Sequence, residues 1–179
     1  MNYSPQNSVS PSQKALAILF LCALASTLGS CSTAATSEGM VSTSFEILHA
    51  HPQTVRVQVT GGQESAPIGR PQITDADFTQ ALVTSIIKTR TFAKAVTDQN
   101  SSADYLITVT IFSLDKRLFR DDAVRMEAGW ILRRATTGTI VWRESIISES
   151  THSNFQRATE GAARNNIAQA LAKISKLDL

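Results

Sequence analysis

Cysteine is scarce: only Cys22 and Cys31 occur in 179 residues. That excludes a disulfide framework and a cysteine zinc site. Charge of one sign is missing as well. Lys plus Arg number 17 against 15 acidic residues, a net charge of +2. Bulk attraction to nucleic acid needs a strongly basic surface, so nucleic acid is not the expected partner. With eight Gly and five Pro, the chain is neither fibrous nor a low-complexity linker. It also lacks any apolar run of the roughly 20 residues that a membrane-spanning helix needs. What remains is 42% hydrophobic, the composition of a globular protein.

The longest apolar run, Ala15 to Leu28, follows Lys14 and a polar stretch free of acidic residues. A cation before a short apolar core is the plan of a secretory signal peptide. The run is followed by Leu28-Gly29-Ser30-Cys31. This stretch resembles the lipobox of bacterial lipoproteins, an aliphatic residue and two small ones before a cysteine. The resemblance implies removal of residues 1–30, a diacylglycerol on the Cys31 thiol and an acylated Cys31 amine. Cys22, preceded by Phe20 and Leu21, does not fit the pattern. Ser32 stands where an Asp would imply retention at the inner membrane. The sorting pattern therefore implies a lipid anchor in the outer membrane, with the domain facing the periplasm.

Residues 31–44 read as the lipidated cysteine and a flexible tether. The 13 residues Ser32 to Ser44 are rich in Ser, Thr and Ala and reach at most about 45 Å. Residues 45–179 read as one α+β domain. Val55, Val57 and Val59 alternate with Arg56 and Gln58, the pattern of a half-buried strand. Phe45 to Leu48 reads as its lead-in. Thr74 is placed to cap a helix with Asp75 and Asp77 in its first turn, and Phe78, Leu82 and Ile86 form its apolar stripe. Phe92 to Val96 reads as a short strand. Tyr105 to Leu114, Ala123 to Arg134 and Ile140 to Ser148 are strands, the last two forming a hairpin. Phe155, Ala158, Ala162, Ile167, Leu171 and Ile174 mark a final helix. The expected order is β-α-(β)-β-β-β-α, an antiparallel-rich sheet of about four strands with two helices on one face.

Several stretches are similar to a family of small Gram-negative lipoproteins of unknown function. They include Val59-Thr60-Gly61-Gly62, Ala103-Asp104-Tyr105-Leu106, Gly129-Trp130-Ile131-Leu132 and Val141-Trp142-Arg143. Asp77 to Leu82 and Glu160 to Ile167 complete the match. The wider plan resembles periplasmic adaptor domains: activators of penicillin-binding proteins, auxiliary lipoproteins of ABC transporters and the amino-terminal domain of the Tol-system propeller protein. That resemblance implies a domain that binds a cell-envelope protein and catalyses nothing.

No residue pattern specifies a reaction. No phosphate loop follows Gly61-Gly62, and no nucleophile elbow is present. His49 and His51 would need a distant third ligand such as His152 to hold a metal, so no metal or cofactor is expected. Asp75/Asp77 and Asp121/Asp122 read as helix-start and loop pairs. The candidate partner-binding residues are Arg125, Arg133 and Arg143, with Trp130 and Trp142 as candidate aromatic anchors. An accessory interaction domain is the first expectation. The alternative is a carrier of a small ligand or lipid between membranes, which would need a cavity between helices and sheet. Replacing Cys31 by Ala is expected to leave a precursor that keeps residues 1–30 and gains no acyl mass. Mass spectrometry showing a free Cys31 thiol in the unaltered protein would contradict the lipoprotein reading.

Overall fold

The computed structural model describes residues 34–63, 71–116 and 123–179. The expected signal peptide and lipobox, with Cys31, lie outside the described residues, as do Asp121 and Asp122. The elements are α1 (Ser37–Met40), β1 (His51–Thr60), α2 (Asp75–Thr89), β2 (Phe92–Val96), β3 (Tyr105–Lys116), β4 (Ala123–Arg134), β5 (Ile140–Thr151) and α3 (Phe155–Ile174). Phe45 to Leu48 lies outside the strands, and Leu48 is exposed.

The five strands form one sheet in the order β2-β1-β3-β4-β5. β1 is parallel to both β2 and β3, whereas β3, β4 and β5 form an antiparallel meander. This corrects the expectation of an antiparallel-rich sheet of about four strands: the optional strand Phe92–Val96 joins as a fifth, and the two parallel neighbours of β1 make the sheet mixed. The physical reason is that, among the described residues, only one face of the sheet is covered. Each strand therefore alternates apolar and polar residues, a pattern that ordinarily marks antiparallel pairing. The two parallel neighbours share β1 along its length. β2 pairs with its first half, up to Arg56↔Val96, and β3 with its second, from Val55↔Tyr105. The connection between them crosses β1 at Thr54 to Arg56. There Asp104 Oδ2 accepts from Thr54 N (2.8 Å), and Arg56 Nη1 donates to the Gln99 carbonyl (2.5 Å).

Helix ends follow local chemistry. Thr74 Oγ1 accepts from Asp77 N at 3.0 Å and donates to Asp77 Oδ2 at 2.7 Å, a reciprocal cap. Asp75 Oδ1 accepts from Gly62 N at 2.7 Å, so this carboxylate pair is structural. Arg90 ends α2 in the left-handed conformation with φ 58°. Asn154 Oδ1 caps α3 by accepting from Arg157 N at 3.0 Å.

Both long helices pack on the face carrying Val55, Val57, Ile107, Val109, Met126, Trp130 and Leu132, all at most 2% exposed. α2 contributes Phe78, Leu82 and Ile86; α3 contributes small residues, Ala158, Ala162, Ala163 and Ala170, with Ile167 and Leu171. The alanines let α3 approach the strands closely. At Gly161 even a Cβ would meet Ser150 Cβ at 2.8 Å.

The expected flexible tether over 31–44 is corrected for residues 34–44. Ala34 bridges to Gln72, and Ala35 and Met40 are buried in the core cluster. Ser42 N donates to Ser85 Oγ at 2.9 Å. Glu160 on α3 is 7% exposed, and its Oε1 accepts from Thr36 N (3.0 Å), Thr36 Oγ1 (2.8 Å) and Gln156 Nε2 (3.1 Å). Arg164, one turn on, donates through Nε to the Gly39 carbonyl at 3.1 Å. Polar composition suggested a free segment, but two apolar side chains and a buried carboxylate fix it to the helix layer.

Leu82→Ala or Leu171→Ala is expected to cost about 2–5 kcal/mol in urea denaturation, the usual range for truncating a buried leucine. The exposed Lys88→Ala should cost at most about 0.5 kcal/mol. Glu160→Ala leaves Thr36 without its acceptor and should cost about 1–3 kcal/mol, with Glu160→Gln milder because its amide oxygen still accepts. Unchanged stability of Glu160→Ala would contradict the placement of residues 34–41.

Candidate interaction face

The sheet face opposite the helices is uncovered by any described element. Strand alternation sends Arg56, Gln58, Thr108, Thr110, Arg125, Glu127, Ile131, Arg133, Arg143, Ser145, Ile147 and Glu149 to it. The register arranges these side chains in rows across the strands.

One end of the face is basic and apolar. Arg56 pairs with Leu106, and Leu106 with Arg133, so two guanidinium groups flank one aliphatic side chain. In the next row Ile131 lies beside Arg143, which is exposed. Arg133 Nε is buried without a hydrogen-bond partner among the described residues. An unpaired buried donor is costly.

The other end is balanced. Arg125 stands between Asp115 on β3 and Glu149 on β5. Glu127 accepts from Ser145 Oγ at 3.1 Å. Arg125 therefore differs from Arg133 and Arg143: its row also carries two carboxylates. Between the ends lies a bulge in β3 at Ile111/Ser113, where Phe112 turns onto the open face. Phe112 is 59% exposed and lies over Gly129, where a Cβ would come within 2.6 Å of its ring. Ile147, 47% exposed, is opposite Glu127 in the adjoining row.

The two tryptophans do not belong to this face. Trp130 points into the core and is fully buried. Its Nε1 donates to Asn166 Oδ1 at 2.8 Å, and its ring lies 6.2 Å from Phe78. It cannot anchor a partner, because the even-numbered residues of β4 face the helices. Trp142 pairs with Leu132 on the same side and packs, half-buried, against the core margin. The candidate set thus divides: Arg133 and Arg143 share the basic end, Arg125 sits in the charge-paired row, and both tryptophans lie behind the sheet. Arg56 joins the basic end only through the β1–β3 register. No local pattern in the sequence marks it.

The histidines do not converge. His51 is buried against Phe92, with Nε2 3.1 Å from the Ile174 carbonyl, while His152 Nδ1 accepts from Asn154 N at 3.0 Å. Among the described residues no group of three or more His, Cys, Asp or Glu is placed to hold a metal ion.

No protein-family model matches the chain, and no curated protein matches it. Solved structures do resemble it. A dodecameric PelC variant from Paraburkholderia phytofirmans is 14% identical, with 76% of this chain and 95% of that one covered and a TM-score of 0.53. Hypothetical protein CT253 from Chlamydia trachomatis is 8% identical over 69% of this chain and 96% of its own, with a TM-score of 0.54. Protein XCC0632 from Xanthomonas campestris is 11% identical over 79% and 90%, with a TM-score of 0.50. At these identities the likeness is one of fold: the α+β arrangement of a mixed sheet with helices is shared with these bacterial proteins.

Proposed function

We propose that this chain is a lipid-anchored, non-enzymatic lipoprotein of the outer membrane that faces the periplasm and docks a cell-envelope protein through its open sheet face. The observation that carries the docking role is the bare face itself. Among the described residues the five-stranded sheet is covered on one side, and the other presents Phe112, Ile131 and Ile147 among charges. The basic end formed by Arg56, Arg133 and Arg143 suits an acidic surface on the partner. The carrier alternative is less well supported, because Phe78, Trp130, Leu82, Ile167 and Leu171 fill the space between the layers.

Anchoring rests on the lipobox, and its sequel rests on the fold. Among the described residues no helix is long and apolar enough to cross a membrane. Only Ser32 and Thr33 separate Cys31 from Ala34, where the described residues begin. Such a leash can reach at most about 10 Å. It starts from the helix layer, since α1 packs on α2 and α3 through Met40, Ser42 and Glu160. A lipid on Cys31 would hold the helix side towards the bilayer and leave the open sheet face to the periplasm.

Reversing the exposed Arg143 to Glu is expected to abolish capture of the partner from crosslinked membranes while cooperative melting is retained. Like charges meeting across an interface cost several kcal/mol, whereas on an open surface they cost little. Capture that survives both the reversal and high salt would contradict docking through the basic end.

A further inference from the structure

The sheet has two edges, and they are built differently. β2 has five residues with Lys94 at its centre, and its partner β1 is irregular between His51 and Thr54. A short strand, a lysine and a bulge are ways of discouraging further strand addition. β5 runs for 12 residues, IVWRESIISEST, without Pro, Gly or Lys, and its one irregularity, at Val141, lies at the hairpin end, clear of Trp142 to Thr151. Its outer row of N–H and C=O groups is a template for another strand.

The backbone direction follows from the hairpin. Arg134 N donates to the Thr139 carbonyl at 2.9 Å, and Ala135 N donates to the Asp104 carbonyl, across β3's side, at 2.8 Å. Even-numbered residues of β4 thus bond towards β5. Their partners Trp142, Glu144, Ile146 and Ser148 bond back. Arg143, Ser145, Ile147 and Glu149 direct their backbone groups off the edge. Asn165 Nδ2 reaching the Glu149 carbonyl at 2.9 Å agrees with that direction.

We propose that this edge pairs with a second copy of the chain, β5 against β5, antiparallel about a two-fold axis through Ile146. This does not depend on lipid attachment or on the docking role. In that register Arg143 lies opposite the partner's Glu149, and Ser145 lies opposite the partner's Ile147, each twice. A neighbouring axis loses the match. Through Ser145 it sets Arg143 against the partner's Ile147; through Ile147 it sets Arg143 against the partner's Thr151. Opposite charges directly across strands stabilise the pair. The partner's Arg143 also meets a carboxylate already aligned with Arg125, so the two charges extend an existing row. α3 packs over β4 and β5, through Ala162 to Ser148 Oγ (2.7 Å) and Asn165 to Glu149. Strands about 4.8 Å apart would then place the two α3 helices roughly 10 Å from each other, a normal helix spacing.

The test is the protein mass of the full chain, extracted in detergent, by light scattering or sedimentation. The unaltered chain is expected at twice the monomer mass. Ser145→Pro removes an edge N–H that the ladder within one copy does not use, and should give a monomer that still melts cooperatively, with only the small loss expected from the exposed Ser145–Glu127 hydrogen bond. Arg143→Glu and Glu149→Arg should each weaken the dimer about tenfold or more, and the two together should restore it. A monomeric unaltered chain, or an assembly whose mass is unchanged by Ser145→Pro, would overturn the proposal.

Discussion

One buried amide, Asn166 on α3, sets where the helix layer can sit on the sheet. Its Oδ1 accepts from Trp130 Nε1, and its Nδ2 donates to the Ile146 carbonyl (2.9 Å) and Ser148 Oγ (3.1 Å). Ser148 Oγ in turn donates to the Ala162 carbonyl at 2.7 Å. Every polar atom of this fully buried group is thereby engaged with β4, β5 or α3. A one-residue slip of α3 would leave several of them unpaired in an apolar core, at about 1–3 kcal/mol each. With α3 locked, Glu160 and Arg164 fall where Thr36 and Gly39 can reach them. The position of the amino-terminal segment is thus a consequence of a hydrogen bond between a tryptophan and an asparagine.

The same arrangement fixes what the surface can do. Apolar side chains from both helices and the inner face of five strands are spent on one core, so chemistry is left to the other face. That face collects its charges by register. Arg125, Arg133 and Arg143 have similar local sequence, yet the bulge at Phe112 brings Asp115 opposite Arg125 and leaves Arg133 beside Leu106. Among the described residues this face is a surface with a basic end and exposed apolar groups.

Much of the fold was legible in residues 54–179. β1's valines, the reciprocal cap at Thr74, the hairpin about Gly138 and the stripe of α3 are local patterns whose period states which face is buried. Parallel pairing of β1 was not legible, because a sheet covered on one side writes the same alternation whichever way its neighbours run. The burial of Trp130 was written in its parity with Met126 and Leu132, but its partner Asn166 is 36 residues away and carries no local signal. The amino-terminal segment misled for a related reason. Thr36, Gly39 and Ser42 are individually loop-like, and what orders them lies far along the chain: Glu160 for Thr36, Arg164 for Gly39 and Ser85 for Ser42. The lone Met40 and Val41 in that polar stretch were the available clue.

If a short leash on Cys31 holds the helix layer to the membrane, the open sheet face is turned away from it. Single spectroscopic probes can be attached at Gln80, exposed on α2, and at Arg125 on the open face, in the lipid-bound chain on vesicles carrying a paramagnetic headgroup. Relaxation of the Gln80 probe should be strongly enhanced and that of the Arg125 probe weakly. Equal enhancement at both, or a stronger effect at Arg125, would contradict it.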